Sequence, residues 1–240
     1  MITVCMATYN GEKFIEKQLS SILSQLEVTD EVIIVDDCSS DQTVSLIKKM
    51  NIASPIKVTI DVNQQNQGPI GSFQKAISKA KGDYIFLSDQ DDQWLPNKVE
   101  MVMKAFKETK ADLVVHDSLV VDGKGNRLND SWNEYNANQF SETIIKNIKK
   151  NGYTGCMMAF TSTLARKALP FPEKIEMHDQ WLALVAIVTH SKIVLIKEPL
   201  MNYVRHGGNV TGMKQRKITT MILGRLRMLK YIMTYRKRSR

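Results

Sequence analysis

Three carboxylates, Asp89, Asp91 and Asp92, fall within four positions directly after a mostly apolar stretch at residues 84–88. That stretch has no helical periodicity, which is typical of a strand buried on both faces. Like charges crowded at a strand end are costly unless a positive group lies among them. A divalent cation such as Mg²⁺, which prefers one or two carboxylates together with substrate phosphates, meets that need. An acidic turn in solvent before a helix at Pro96 is the alternative that this stretch alone leaves open.

Two more polar clusters follow predicted strands, residues 8–12 and residues 36–41. The strands alternate with helical patterns, which favours an α/β fold whose mostly parallel central sheet is flanked by helices. Because ligands of such sheets bind beyond the carboxyl ends of the strands, we expect the three polar clusters to share one rim. The strands are predicted at 2–6, 31–36, 56–60, 84–88 and 113–117, and the helices between them at 14–26, 43–50, 70–80 and 96–109.

The second half of the chain is less regular. We predict a helix at 140–150, a turn and buried strand at 152–160, a helix from His178 onward and a return to the sheet at 194–200. Asp179 lies in the first turn of its helix, where an acid can simply complement the helix dipole. Because no linker long enough to separate domains is visible, residues 1–212 are predicted to form one domain.

The positive charge of the chain belongs to its tail. The formal net charge is +8, yet residues 214–240 contain ten lysines and arginines and no acidic residue. In the rest of the chain, residues 1–213, which we call the body, 23 basic and 25 acidic residues nearly balance. We therefore expect no nucleic-acid partner for the body.

Cysteine usage and hydropathy indicate a cytoplasmic protein. The three cysteines, Cys5, Cys38 and Cys156, are widely spaced and form no C-x-x-C pair, which argues against a disulfide framework or a zinc site. The sequence opens directly on a strand pattern, so we expect no signal peptide. The longest purely apolar run, at 182–188, is too short to span a bilayer.

These motifs together resemble a known family. The sequences A-T-Y-N-G, V-D-D-C-S-S-D, N-x-G near residue 66 and S-D-Q-D-D-x-W-L-P-x-K occur in the order found in family 2 glycosyltransferases with the GT-A fold. The later G-C-M-M-A-F, H-D-Q-W-L-A-L-V-A and Y-V-R-H-G-G-N-V-T-G are similar to the rhamnosyltransferase-like branch. The resemblance covers residues 2–212, nearly the whole body.

The resemblance implies a nucleoside diphosphate sugar donor, with dTDP-rhamnose preferred and a UDP-sugar as the other choice. Tyr9 would stack on the base, Asp37 would accept a hydrogen bond from its imide N–H, and Asp36 would support that loop or the ribose. The acceptor would be a hydroxyl of a glycan or lipid-linked saccharide in bacterial surface polysaccharide synthesis. The implied donor-binding residues are Thr8, Tyr9, Asn10, Asp36, Asp37, Gly68, Asp89 and Arg205.

The resemblance also implies Mg²⁺ or Mn²⁺ as cofactor, held by Asp91, Asp89 and His206. Asp91 would bind the ion directly, Asp89 would reach the ribose or a bound water, and His206 would add a metal contact or reach the diphosphate. The ion would neutralise charge that develops on the leaving group. Asp92 would cap a helix or support the metal ligands. Lys98 is either a phosphate ligand or an exposed helix residue.

Asp179 matches the position of the family's catalytic base. One positioned carboxylate can deprotonate the acceptor hydroxyl as it attacks the anomeric carbon, and the diphosphate leaves without a protonating acid, unlike the leaving group of a glycosidase. The resemblance therefore implies inversion of configuration. Trp181, one helical step away, is predicted to belong to the core.

Some positions depart from the family pattern. Cys38 replaces a common glycine, Ser72 stands where many relatives have asparagine, and no Q-x-x-R-W follows Asp179, which speaks against a processive polysaccharide synthase. A non-catalytic, membrane-associated nucleotide-sugar-binding module remains the alternative function, although it would be expected to have lost one of the acids. A sugar nucleotidyltransferase would carry a glycine-rich basic loop after the first strand, and A-T-Y-N-G-E is not one.

Residues 213–240 are predicted to form a basic amphipathic helix. Five apolar residues fall on one face, namely Ile218, Ile222, Leu226, Leu229 and Met233. Such a helix can lie in the headgroup plane of an anionic membrane, which would place the enzyme peripherally at the inner face of the cell membrane. Packing of this helix against the body, or against a second subunit in a homodimer, is the alternative.

Overall fold

A computed structural model of the chain describes residues 1–206 and 218–238. The strands are β1 Ile2–Thr8, β2 Glu31–Asp36, β3 Lys57–Val62, β4 Tyr84–Asp89, β5 Gln93–Trp94, β6 Leu113–Asp122, β7 Arg127–Asn129, β8 Met158–Thr161 and β9 Ile193–Arg205. The helices are α1 Ile15–Leu23, α2 Thr43–Ala53, α3 Gly68–Lys79, α4 Lys98–Thr109, α5 Trp132–Tyr135, α6 Ile144–Lys149, α7 Ser162–Ala168, α8 His178–Val188 and α9 Ile218–Arg238, and a short 3-10 turn spans Gly155–Met157.

One mixed sheet organises these elements in the order β3-β2-β1-β4-β8-β6-β9-β5, with β7 paired to β6. The pairs β1–β2, β2–β3, β1–β4 and β6–β9 are parallel, and they are longer than the antiparallel pairs made by β8, β5 and β7. The predicted α/β fold with a mostly parallel sheet is therefore confirmed. The central strands β1, β2 and β4 are mostly apolar and buried along nearly their whole length, as expected of strands covered on both faces.

The rim formed by the carboxyl ends of β1, β2 and β4 brings the predicted polar clusters together. In the register of the sheet, Thr8 pairs with Asp36, and Ala7 pairs with Asp89. Residues far apart in sequence thus begin their loops at the same level of the sheet. This edge is where a parallel sheet binds its ligands.

Strand β6 is longer than the sequence predicts because buried polar residues do not end it. The sequence predicts a strand at 113–117, yet the strand continues through buried His116, Asp117 and Ser118 to Asp122. The carboxylate of Asp117 accepts hydrogen bonds from the Ser131 hydroxyl (2.5 Å) and from the backbone N–H of Asn133 (3.2 Å). A carboxylate satisfied in this way can lie inside the fold.

Helix α9 packs against the body and also exposes an apolar face. Met228 and Ile232 are fully buried, and the ring of Tyr235 meets that of Trp181 edge to face at 5.9 Å. The opposite face exposes a row of apolar side chains, Ile222, Leu223, Leu226, Leu229 and Met233. The described helices include none that is both long and apolar enough to span a membrane. The division of the chain at residue 212 stays a prediction.

Candidate active site

A cleft of about 360 Å³ opens at this rim, between the first four strands and the segment that begins α8. It brings together most of the side chains singled out from the sequence. The predicted site residues that line it are Thr8, Tyr9, Asp37, Gly68, Asp89, Asp91 and Asp179, whereas Asn10, Asp36, Arg205 and His206 lie outside the lining.

Asp37 is fixed by three hydrogen bonds on one wall of the cleft. Its Oδ1 accepts from Asn63 Nδ2 (2.9 Å) and from the backbone N–H of Gln67 (2.8 Å), and its Oδ2 accepts from the backbone N–H of Gly68 (2.7 Å). Gly68 has φ +73°, a left-handed conformation that glycine adopts without strain. Lys75 donates to Asn63 Oδ1 (3.0 Å) and so orients the amide that holds Asp37.

Asp36 and Asn10 hold the loops of this wall together. The buried carboxylate of Asp36 accepts from the Thr8 hydroxyl (2.7 Å) and from the Ser39 hydroxyl (2.6 Å). Asn10 Oδ1 accepts from the backbone N–H of Ser40 (2.9 Å). Both residues therefore support the loops internally, which matches the first of the two roles predicted for Asp36.

Gln90, the middle residue of the D-x-D, was not singled out from the sequence. Its Oε1 accepts from the backbone N–H of Tyr9 (2.8 Å), and its Nε2 donates to the backbone carbonyl of the same residue (2.9 Å). A Cβ at Gly11 would collide with the Gln90 amide. Gln90 therefore clamps the loop that presents the half-exposed Tyr9 ring. Its place between the two acids was the only available signal.

The acids of the D-x-D lie close enough to disturb one another. Burial, followed by the charges of Asp91 and Asp179, raises the pKa of Asp89 to about 7. The Oδ2 atom of Asp91 lies 2.8 Å from Nε2 of His206, whose ring stacks on Phe14 at 4.5 Å. The predicted metal ligands Asp91 and His206 are thus in contact. His206 is followed by Gly207 and Gly208, a pair whose backbone can approach a ligand closely, and these two glycines fall outside the described residues.

Asp92 and Lys98 are both buried, and neither of them lines the cleft. Asp92 Oδ1 accepts from the backbone N–H of Val204 (3.2 Å) and caps no helix. Lys98 is 1% exposed, so both roles considered for it, phosphate ligand and exposed helix residue, are wrong. Its ammonium donates to the Cys156 carbonyl (2.9 Å) and lies 4.1 Å from the centre of the Trp94 ring. The periodicity of α4 gave no sign that its first residue faces inward.

Asp179 forms the opposite wall and is held by groups from other segments. Its Oδ2 accepts from the backbone N–H of Gly155 (3.1 Å), and its Oδ1 accepts from Asn151 Nδ2 (3.0 Å) and from the backbone N–H of Gln180 (2.6 Å). Burial raises the pKa of Asp179 to about 6, although these hydrogen bonds oppose the rise. A carboxylate with this pKa is ionised at neutral pH and basic enough to accept a proton.

His178, which received no role from the sequence, is a neutral neighbour of Asp179. Its ring stacks on Phe73 at 4.2 Å, and within the described part of the chain neither ring nitrogen has a hydrogen-bond partner. Burial lowers the pKa of His178 to about 3. A Cβ at Gly155 would lie 2.7 Å from its Nε2, so glycine is required there.

Two further predictions concern residues around the cleft. The guanidinium of Arg205 lies over the Trp132 ring, 5.9 Å from its centre, beside the cleft rather than in its lining. Trp181 is 2% exposed and donates from Nε1 to the Ala168 carbonyl (2.9 Å), so its predicted core position is confirmed.

Comparison with known proteins identifies the family. The family model described as "Glycosyl transferase family 2" matches residues 3–169, more than half of the chain. The chain belongs to glycosyl transferase family 2. An uncharacterized glycosyltransferase of Nostoc (alr2836) is 25% identical to this family member over 214 residues, 87% of the chain and 66% of the relative. The dTDP-rhamnosyl transferase RfbG of Shigella flexneri is 36% identical over 99 residues, 40% of the chain and 34% of that protein.

Solved structures give the same fold. Residues 1–349 of TarS from S. aureus, in complex with UDP-GlcNAc, match with a TM-score of 0.74 at 19% identity, over 98% of this chain and 66% of that one. A mannosyltransferase of Pyrobaculum calidifontis in complex with GDP-Man and Mn²⁺ matches with a TM-score of 0.64 at 19% identity, over 96% and 69%. The GT-A fold is therefore confirmed. The chain spans no more than about two thirds of the curated relatives named here.

Proposed function

We propose that this glycosyltransferase moves a sugar from a nucleoside diphosphate donor to a hydroxyl of a glycan or lipid-linked saccharide, with inversion at the anomeric carbon. One observation carries the proposal. A single cleft is lined by a rigidly held Asp37, by the acids of the D-x-D and, across from them, by Asp179 with its raised pKa. A non-catalytic binding module would have no need for the last of these.

The donor would lie along the β1, β2 and β4 rim. Tyr9, which Gln90 clamps, would stack on the nucleobase, and Asp37 would accept from its imide N–H with lone pairs that Asn63, Gln67 and Gly68 leave available. Thr8, Asn10, Asp36 and Gly68 would shape this wall, and Arg205 would approach the phosphates from the cleft edge. Most of these groups are fixed before the donor binds, which reduces the entropy lost on binding.

The residues present fit a divalent cation. Asp91 and Asp89 crowd their charges, and His206 offers Nε2 within 2.8 Å of Asp91; carboxylates and imidazole suit Mn²⁺, and carboxylates suit Mg²⁺. A bound ion would neutralise charge on the diphosphate. Among the described residues, Asp89, Asp92 and Cys156 also lie within 4.8 Å of one another. Burial raises the pKa of the Cys156 thiol well above its usual value.

Asp179 would take the proton of the acceptor hydroxyl as that oxygen attacks the anomeric carbon. The amide N–H of Gly155 and the side chain of Asn151 orient its carboxylate. The acceptor would enter from the side of Asp179, opposite the leaving diphosphate, and an in-line attack from there inverts the configuration.

Rhamnose is our first choice of donor sugar, and the partial similarity to a dTDP-rhamnosyl transferase supports it. The test is incubation with dTDP-rhamnose, UDP-glucose and UDP-GlcNAc, with Mn²⁺ or Mg²⁺ and with a chelator. We expect metal-dependent release of nucleotide diphosphate, fastest from dTDP-rhamnose. Failure of every donor to bind or turn over would contradict the proposal, and faster release from a UDP-sugar would overturn the choice of rhamnose.

We further propose peripheral contact with the inner face of the cell membrane through α9. Its exposed apolar row includes Leu223 and Leu226, each more than half exposed, and residues 214–240 add ten basic residues and no acid. An apolar face beside positive charges is complementary to an anionic bilayer.

Co-sedimentation with phosphatidylglycerol vesicles tests the membrane contact. Wild type should bind these vesicles and bind phosphatidylcholine vesicles weakly. A Leu223→Gln/Leu226→Gln double variant should lose binding, whereas Ile52→Gln, at an 88% exposed position on α2, should retain it. Equal binding by all three proteins would contradict the proposal. Concentration-dependent dimerisation that the double variant abolishes would instead assign the face to a homodimer.

A further inference from the structure

Lys98 is a buried basic group that the proposed mechanism leaves unused. It begins α4, only six residues after the last acid of the D-x-D stretch, and its side chain is among the largest that are fully buried. Burying an ammonium group is unfavourable unless hydrogen bonds and charges compensate it. Its position therefore requires a specific set of partners.

The partners of Lys98 are neutral groups from three different segments. Its Nζ donates to the Cys156 carbonyl (2.9 Å), contacts Met201 Sδ (3.7 Å) and lies over the Trp94 ring (4.1 Å). Throughout residues 1–206 and 218–238, no carboxylate oxygen lies within 4.0 Å of it. Burial lowers the pKa of Lys98 to about 7, while Cys156, Asp92 and Asp89 favour its charged form and oppose that shift.

The hydrogen bond to Cys156 places Lys98 one residue away from the group that orients the base. Cys156 lies in the turn Gly155–Met157, and the backbone N–H of Gly155 donates to Asp179 Oδ2 (3.1 Å). Lys98 holds the carbonyl side of this turn, and Asp179 receives its amide. Within the described residues, Lys98 is the only charged side chain that donates to the turn. An error of about 1 Å in the position of a reacting group can lower a rate about a hundredfold.

We propose that Lys98 is a positioning residue: its ammonium fixes the Gly155–Met157 turn and, through that turn, orients the Asp179 carboxylate towards the acceptor. The inference rests on the proposed role of Asp179 as base. We assign Lys98 to the transfer step rather than to donor binding for two reasons. Lys98 holds the turn whose Gly155 N–H donates to Asp179, and Lys98 does not line the cleft.

The test uses the full chain and five variants. Lys98→Met keeps the length and the apolar stem but removes the charge and the donor, and Lys98→Gln keeps a shorter donor. Lys104→Met is the matched control, since Lys104 is exposed on the same helix, with a 62% exposed side chain. Asp179→Asn and its combination with Lys98→Met complete a double-mutant cycle. The probe is whichever of dTDP-rhamnose, UDP-glucose and UDP-GlcNAc turns over fastest with Mn²⁺, followed by nucleotide release and by calorimetric donor binding.

We expect Lys98→Met to lower kcat about 10- to 100-fold, with donor affinity within about twofold of wild type, and Lys98→Gln to lose less. Lys104→Met should behave as wild type. In the Asp179→Asn background, Lys98→Met should have almost no further effect, because the group it positions is gone. A purely structural role would not produce this loss of additivity.

Several results would overturn the inference. These are an unchanged kcat in folded Lys98→Met, full additivity with Asp179→Asn, a parallel loss of donor affinity, or failure of both Lys98 variants to fold while Lys104→Met folds. The last result would assign Lys98 to stability alone. If Asp179→Asn itself turns over at the parental rate, Asp179 is not the base, and both the proposed function of Asp179 and the inference about Lys98 are wrong. If Asp179→Asn is slow but its effect adds fully to that of Lys98→Met, only the inference about Lys98 is wrong.

Discussion

The cleft has two walls, a donor wall that carries Asp37 and a base wall that carries Asp179. They hold these two carboxylates in different ways. On the donor wall, the partners of Asp37 come from the adjoining strand end and the start of α3, within 31 positions along the chain. On the base wall, Asp179 depends on Asn151 and Gly155, and the Gly155 turn is in turn held by Lys98, 58 positions before Cys156. The direct partners that the two carboxylates draw from other segments thus lie at similar distances along the chain, 26–31 positions for Asp37 and 24–28 for Asp179. The walls differ in that the turn beside Asp179 is itself held by a buried lysine from a separate helix.

This difference leads us to expect separable defects. Changes on the donor wall should weaken nucleotide binding while leaving the chemistry of bound donor intact. Changes on the base wall should slow transfer while leaving donor affinity intact. The variants below test that separation, beginning with the largest expected effect.

Asp179→Asn should lower the transfer rate by about 10²–10⁴, the factor typical of a lost general base. The substitution keeps the shape of the side chain but removes the proton acceptor. Radiolabelled sugar transfer at saturating donor measures the loss, with circular dichroism as the folding control. Transfer at the parental rate would place the base elsewhere.

Asp37→Asn should weaken donor binding about 10- to 100-fold, because hydrogen bonds to a charged group contribute about 1.5–3 kcal/mol. The new amide nitrogen would also face the N–H groups that now donate to Asp37. Calorimetry with the nucleotide diphosphate measures the change, and kcat at saturating donor should stay close to wild type. Asp83→Asn, at an exposed acid, is the control. A kcat loss as large as the affinity loss would break the separation of the two walls.

Gln90→Glu should weaken donor binding about fivefold, the equivalent of about 1 kcal/mol for one lost hydrogen bond. The variant is isosteric, but it replaces the N–H that donates to the Tyr9 carbonyl with an acceptor. The exposed Gln139→Glu adds the same charge and should have no effect. Unchanged affinity in Gln90→Glu would mean that the clamp on Tyr9 does not serve the donor.

The pH profile of kcat should show the base directly. Burial raises the pKa of Asp179 to about 6, and only the ionised form accepts a proton. The rate should therefore lose half its value through this group near pH 6 and fall about tenfold per unit below that. Asp179→Asn should lack this limb. A limb near pH 4 in wild type would indicate a carboxylate in water rather than the buried Asp179.

Both key carboxylates, Asp37 and Asp179, could be proposed from the sequence, but the groups that hold Asp179 in place could not. The sequences of β2 and β4 are apolar runs that end in acidic residues. Because the carboxyl ends of parallel strands meet at one edge of the sheet, Asp37 and Asp89 could be predicted to lie at the same rim. The insertion of antiparallel β8 between β4 and β6 has no local signature, because it depends on pairing across about 75 residues. Lys98 was misplaced for a related reason. Its buried position depends on the distant Cys156 carbonyl and Met201 sulfur as well as on the nearby Trp94 ring.

Calorimetric donor binding to Asp91→Asn and Asp179→Asn, with and without Mn²⁺, tests the central claim most directly. The account predicts that Asp91→Asn loses the Mn²⁺-dependent part of donor affinity, because the ion would be shared between this carboxylate and the diphosphate. Asp179→Asn should bind donor and Mn²⁺ as wild type does, despite its loss of transfer. Equal losses of donor affinity in the two variants would contradict the division of the cleft into a donor wall and a base wall.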